Sequence, residues 1–311
     1  MKNPQSTIHF MSFWQKRRFG LYICLFIPCL FMAIMVVYPI IYNIGLSVQE
    51  VNVYTLARER PFIGLENYRH LWQHHDFGNV IRNTLVFTLG SIAIQLPFGL
   101  LFAIMLQRPD GLHRGLRALV AAGWMIPALI VGTVWRWLLN SDYGIINQVL
   151  LQFGILSQNI PWLVSTSYAM WGVILANVWF GIPFNMLLLS AGLAGIPGQI
   201  YQAAQVDGAN RYHIFRFITL PLLLPTLLAV LVLGLLFTMK LFDLIWVLTG
   251  GGPVMATTVL SVWSYQLSFS FFNFGLGAAL ANMLSIVLLL VAIIYVWKLV
   301  GRESEGYGSA A

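Results

Sequence analysis

Few side chains in this sequence could do chemistry, and they do not form a catalytic set. A nucleophile needs a base and an orienting group within reach. No Ser, Cys or Lys here can be matched to such partners, so no catalytic residue is assigned and the chain is read as not an enzyme. His74, His75 and Asp76 carry metal-capable atoms, but adjacent histidines in a polar loop ordinarily face water, and no metal ligand is assigned. Gly250, Gly251 and Gly252 are not followed by the Lys-Ser or Lys-Thr of a phosphate loop and read as a turn. Cys24 and Cys29, the 2 cysteines, share one apolar run and read as wall residues without a disulfide. Asn177 also sits in an apolar run, where an amide is costly unless it faces a neighbouring helix or a wet cavity; both readings stay open. Lys240 and Asp243 are spaced to pair on one helix face near the end of another apolar run.

The richest polar pattern lies in 195–228. Pro197 suits the first turn of a helix, and the run to Val206 has helical spacing. Asp207 and Gly208 then break it, because glycine tolerates the positive φ of a sharp turn. Asn210 is a good N-cap for a second helix through Tyr212, Phe215 and Ile218, ending where Pro221 opens the next apolar run. Gln199, Gln202 and Gln205 fall on one side, while Ala203 and Ala204 are small enough for a partner backbone to approach. The expected shape is helix, turn, helix.

The elements that must position these residues belong to a membrane. Of 311 residues, 59% are hydrophobic and 9% charged, and 17 Lys and Arg with 10 Asp and Glu are too few to clothe a soluble fold of this size. The net charge of +7 is not gathered on one amphipathic element, so no nucleic-acid partner is implied. Uncharged stretches long enough to cross about 30 Å of hydrocarbon predict spans near 21–46, 84–105, 118–138, 168–193, 218–241 and 276–297. The first follows Lys16, Arg17 and Arg18 but is too long for a leader and has no small-residue cleavage site; it reads as a retained anchor.

Lys and Arg concentrate in the N-terminal tail, in 107–117, in 194–220 and in the C-terminal tail, which predicts those segments to be cytoplasmic. The segments 140–167 and 244–275 lack them and are expected outside, together with the first loop, where acidic residues offset Arg58, Arg60 and Arg69. Trp135, Trp137, Trp162 and Trp171 suit an interfacial aromatic belt, and 145–164 suits short helices resting at the interface. The fold class is therefore an all-α polytopic membrane protein with six transmembrane helices, a cytoplasmic tail over 1–20, a six-span body over 21–298 and a second cytoplasmic tail over 299–311. Between spans four and five lies the cytoplasmic loop 195–221.

Gln202-Ala203-Ala204, Asp207-Gly208-Ala209 and Ile218-Thr219-Leu220-Pro221 resemble the EAA loop of ABC importer permeases, in which an EAA triplet precedes an Asp-Gly-Ala turn and an Ile-x-Leu-Pro ending. Phe62 to Tyr68, Phe242-Asp243 and Leu248-Thr249-Gly250-Gly251-Gly252-Pro253, with Thr257 and Thr258, resemble the carbohydrate-type permeases of the maltose, trehalose and glycerol-phosphate importer family. The likeness is to the subgroup of the maltose system's larger pore subunit, without that subunit's large outer domain. It implies a chain in the bacterial inner membrane that works with a second, different permease, two ATPase subunits and an extracytoplasmic solute-binding protein. No cofactor is implied in this chain; ATP and Mg would be held by the ATPases.

The resemblance gives Gln202, Ala203, Ala204, Asp207, Gly208 and Phe215 the coupling role, docked in a cleft of the ATPase. Gln202 stands where the family usually has Glu, so a neutral hydrogen bond would replace a charged contact. It also carries over a substrate pathway of Asn177, Gly181, Phe184, Phe237, Thr238 and Leu241. Leu241 departs from a polar residue of the maltose subunit, which implies a different solute. The alternative is a self-contained secondary transporter, for which Asp243 would be the one acidic candidate in the membrane.

Overall fold

The computed structural model describes residues 24–56 and 58–308, with side chains as far as Lys298. The predicted N-terminal tail, the first residues of span one and residues 309–311 lie outside the described residues, and 299–308 are described as helical backbone only. Among the described residues there is no β-sheet, only two isolated bridges. Backbone polar groups in hydrocarbon have no water to bind, and the helix satisfies them within its own segment.

Among the described residues, five helices are long and apolar enough to cross a membrane: α1 (Cys24–Ser47), α3 (Phe77–Met105), α7 (Ala169–Ala194), α9 (Arg211–Met239) and α12 (Phe274–Lys298, its backbone continuing to Gly308). Shorter helices lie between them: α2 (Glu66–Gln73), α4 (Gly111–Met125), α5 (Ala128–Leu138), α6 (Ile145–Gln152), α8 (Gly198–Val206), α10 (Asp243–Thr249) and α11 (Leu260–Tyr265). The structure differs from the sequence reading at the third span. The expected straight crossing over 118–138 is α4 and α5, bent by 98°. Pro127 supplies the reason: it has no N–H to continue a helix and forces Ile126 into an extended conformation, φ −74° and ψ 128°. Among the described residues there are thus six spans only if the bent pair counts as one.

Span five departs too. α9 starts at Arg211 rather than near 218, because Pro221 does not begin a new helix. Pro221 cannot donate a hydrogen bond, and its ring would crowd the carbonyl one turn back. The chain answers with a π-helical turn over Phe215–Thr219, in which the Leu220 amide donates to the Phe215 carbonyl.

Glycines set how closely the central helices approach. α3 and α7 run parallel, with Gly99 against Asn185 and Gly181 against Gln95. Gly192 of α7 meets Thr226 of α9, while Gly234 faces Ile92, so α9 runs antiparallel to both. Small residues at such contacts let helices pack where lipid gives no hydrophobic drive. One buried cluster joins Ala103, Leu106, Met186, Leu193 and Leu223 at the end where α3 and α7 finish and α9 begins. A second, with Phe87, Trp135, Val173 and Leu244, lies toward the opposite end. The basic segments 107–117 and 194–220 therefore share one end of the bundle.

At the other end an amide chain ties α1 to α12. Asn43 Nδ2 donates to Asn282 Oδ1 at 2.7 Å, Asn282 Nδ2 to the Tyr68 hydroxyl at 3.4 Å, and that hydroxyl to Ser47 Oγ at 2.8 Å. The expected aromatic belt is only partly present. Trp137 and Trp171 are exposed, but Trp135 is buried in the core beside Trp179 at 6.3 Å, and Trp162 donates to Asn147 Oδ1 at 2.9 Å. Asn147 also donates to the Ile160 carbonyl at 2.9 Å, so 153–164 folds back as turns on α6 where interfacial helices were expected.

Candidate functional site

The bend between α4 and α5, the break between α9 and α10, and the parallel pair α3 and α7 enclose a cavity of about 510 Å³. That volume lies in the range of small-molecule sites. Asn177, Gly181, Phe184, Phe237, Thr238 and Leu241, the residues named from sequence as a solute pathway, all line it. Helical spacing explains half of this. Asn177 and Gly181 are one turn apart on α7, with Phe184 just beyond. The other half is tertiary: α9 must run back along α7 to bring Phe237 and Thr238 opposite.

An aromatic chain forms one wall. Trp124 and Phe184 are 5.4 Å apart between ring centroids, Phe184 and Phe237 are 5.4 Å apart and edge-on, and Lys240 Nζ lies 4.9 Å over the Phe237 ring. The expected pairing of Lys240 with Asp243 on one helix face does not occur. α9 ends at Met239, Lys240 is its C-cap and Asp243 opens α10, so the two charges share no helix although both line the cavity.

Amides form the other wall. Gln95 Nε2 donates to the backbone carbonyl of Asn177 at 2.7 Å. Asn177 Nδ2 is buried and has no hydrogen-bond partner among the described residues. Leaving a buried donor unpaired costs about 1–3 kcal/mol, and such a group calls for a reason. Interhelical glue, one of the two readings left open, does not supply it, because the side-chain donor grips no neighbouring helix. Gln95, Asn185, Trp124 and Lys240 were not named from sequence as lining residues. Gln95 could have been found: it is the one amide in the predicted span 84–105. Asn185 falls one turn after Gly181 on the face of Asn177. Trp124 could not, since its position depends on the bend.

At the other end of the bundle α8 projects as a separate element. Its C-terminus closes as a Schellman motif: the Ala209 amide donates to the Ala204 carbonyl at 2.9 Å and the Gly208 amide to the Gln205 carbonyl at 3.1 Å. Gly208 has φ +80°, the left-handed turn expected of it. Asn210 caps the next helix, accepting from the His213 amide at 2.9 Å. Gln202, Ala203, Asp207 and Gly208 are exposed and Phe215 is half-buried in the π-helical turn. Ala204, expected to face a partner, is instead buried against its own chain. Thr219 Oγ1 donates to the Tyr201 hydroxyl at 3.3 Å, tying α8 to the base of α9.

Asp110, the N-cap of α4, accepts from the His113 amide at 3.0 Å, and this bond holds its carboxyl below the ordinary 3.8. His74, His75 and Asp76 present ligand atoms within 4.8 Å of one another, with His75 Nε2 2.8 Å from Asp76 Oδ2 and the His74 ring edge-on to Trp263 at 5.2 Å.

A membrane bundle with a polar, aromatic-walled cavity between its central helices, and a structured helix and turn at one end, has the build of a transporter's pore-forming subunit. Residues 95–299 match the family described as "Binding-protein-dependent transport system inner membrane component". The chain belongs to that family and is a multi-pass protein of the inner membrane. It is 37% identical over 246 residues to the trehalose/maltose transport system permease protein MalF of Thermococcus litoralis, covering 78% of this chain and 81% of that one. It is 31% identical over 264 residues to the sulfoquinovosyl glycerol transport system permease protein SmoG of Agrobacterium fabrum, covering 85% of each. Among solved structures it resembles a chain of a bacterial ABC transporter that imports the acidic polysaccharide alginate, with a TM-score of 0.77, 25% identity, and 91% of this chain and 96% of that chain covered.

Proposed function

We propose that this chain is one of two different pore-forming permeases of an ABC importer for a sugar or related polar solute. An extracytoplasmic binding protein delivers the solute, and two separate ATPase subunits, holding ATP and Mg, grip α8 from the cytoplasm. Both termini of the chain are cytoplasmic, on the side of α8. The observation that supports this reading most is the convergence of Asn177, Gly181, Phe184, Phe237, Thr238 and Leu241 on one cavity. Aromatic faces beside hydrogen-bonding groups match the apolar and hydroxyl surfaces of a sugar ring. Relatives named for trehalose and maltose, sulfoquinovosyl glycerol and galactooligosaccharides support a carbohydrate solute.

The mechanism separates power from passage. ATP binding closes the ATPases and carries α8 with them. Tyr201 and Thr219 pass that movement to the base of α9, whose far end walls the cavity. Rigid-body movement of α9 against α7 then exposes the cavity to one side of the membrane at a time. Gln202, Ala203, Asp207 and Gly208 are the docking contacts, while buried Ala204 holds the helix to its own chain.

The test is reconstitution of the assembled importer in vesicles, with uptake of trehalose, a galactooligosaccharide and sulfoquinovosyl glycerol measured with and without ATP and the binding protein. Uptake should need both, and Phe184→Ala should abolish it while assembly persists. Uptake by the single chain in ATP-free vesicles would overturn the reading in favour of a secondary transporter.

A further inference from the structure

The solute pathway named from sequence lies on α7 and α9, yet the most buried polar group opposite it comes from α3. Gln95 and Asn177 are each 3% exposed, and so is Asn185. All three line the cavity. They are arranged reciprocally: Gln95 of α3 lies over Gly181 of α7, and Asn185 of α7 lies over Gly99 of α3. A Cβ on Gly181 would collide with the Gln95 carboxamide, so that glycine is the seat on which the amide rests.

The Asn177 carbonyl fixes how the amide is turned. Only the NH2 end of a carboxamide can face a carbonyl oxygen, so Gln95 Nε2 takes that position and Oε1 is left as an acceptor. Asn177, whose Nδ2 is a buried donor unpartnered among the described residues, belongs to the same wall. A spare acceptor and a spare donor in one cavity wall suit a hydroxyl, because a hydroxyl both donates and accepts. Lys240 and Asp243, the charged residues of the cavity lining, are both exposed, whereas these amides are buried.

We infer that Gln95, with Asn177 and Asn185, forms a carboxamide cradle that binds a hydroxyl of a polyhydroxylated solute, Gln95 being a specificity-determining contact contributed by α3. The inference rests on the solute-pathway reading above. While the aromatic wall packs against the ring's apolar face, the cradle selects among hydroxyl arrangements. Sites with oriented buried polar groups discriminate strongly against ligands that leave those groups unpaired.

The experiment measures equilibrium binding of radiolabelled trehalose and of a galactooligosaccharide to the purified, assembled importer without its binding protein, for wild type, Gln95→Met and Gln95→Glu. Methionine has the same reach and fills the space over Gly181. It should weaken binding of at least one sugar on the order of 10-fold, with assembly and thermal unfolding midpoint held. Glutamate has the same reach and, in its carboxylic acid form, donates to the Asn177 carbonyl while its other oxygen stays an acceptor, so it should recover affinity to within about 3-fold of wild type. Unchanged affinity for both sugars in Gln95→Met would overturn the cradle while leaving the importer reading intact. Equal losses in both variants with a lowered unfolding midpoint would also overturn it, making Gln95 a packing residue. Wild-type importer that retains neither sugar would overturn the carbohydrate-pathway reading beneath it.

Discussion

Replacing Gly208 by valine isolates the turn of α8 from every other feature of the chain. The backbone there has φ +80°, and a Cβ built on Gly208 meets nothing within 4 Å. The penalty is therefore dihedral rather than steric contact with neighbours. An L-residue in the left-handed region costs about 1–2 kcal/mol, and a β-branched one more. Two amide bonds depend on that geometry, from Gly208 to Gln205 and from Ala209 to Ala204. At about 1.4 kcal/mol per tenfold, a cost of about 2 kcal/mol lowers the ratio of closed to open turn some 30-fold. α8, of 9 residues, has little helical stability of its own to resist this. The assay is ATP hydrolysis by the reconstituted importer, stimulated by solute-loaded binding protein, with membrane content measured in parallel. Stimulation should be lost in Gly208→Val and largely kept in Gly208→Asn, since asparagine tolerates this conformation. Full stimulation in the valine variant would refute the argument that the left-handed turn presents the coupling surface.

Four other substitutions and a pH change test separate parts of the structure. Gly99→Ala puts a Cβ against the Asn185 Cβ and backbone, which cannot swing away, and should destabilise the bundle by about 1–3 kcal/mol in thermal unfolding. Gly181→Ala meets the movable end of Gln95, so its cost should be nearer the loss of one hydrogen bond, about 1 kcal/mol, in the same measurement. Asn210→Ala removes the cap bond to His213 and should weaken the start of α9 by about 1 kcal/mol, read as faster amide exchange over 211–214. The Asp110 carboxyl is held below 3.8 chiefly by the His113 amide. Its capping contribution should be fully present above pH 3.8 and fade as pH falls through the lowered value, seen as faster exchange at the His113 amide. Asp110→Asn should remove that pH dependence.

The sequence by itself determined the class of molecule. Long uncharged apolar runs leave only a helical membrane protein, and the distribution of Lys and Arg grouped 107–117 with 194–220, which the packing indeed brings to one end. The turn at Gly208 and the cap at Asn210 were legible because capping is local chemistry, decided by residues a few positions apart. Prolines were legible as interruptions but not in their consequence: Pro127 bends its span by 98°, while Pro221 is absorbed into a continuous helix. Which outcome follows depends on neighbouring helices that can satisfy the freed backbone groups. The burial of Ala204 and Trp135, the separation of Lys240 from Asp243, and the meeting of Gln95 with Gly181 were decided only by tertiary structure. In a span that is apolar all round, sequence periodicity does not say which face meets lipid and which meets protein, so lateral packing alone assigns the cavity wall.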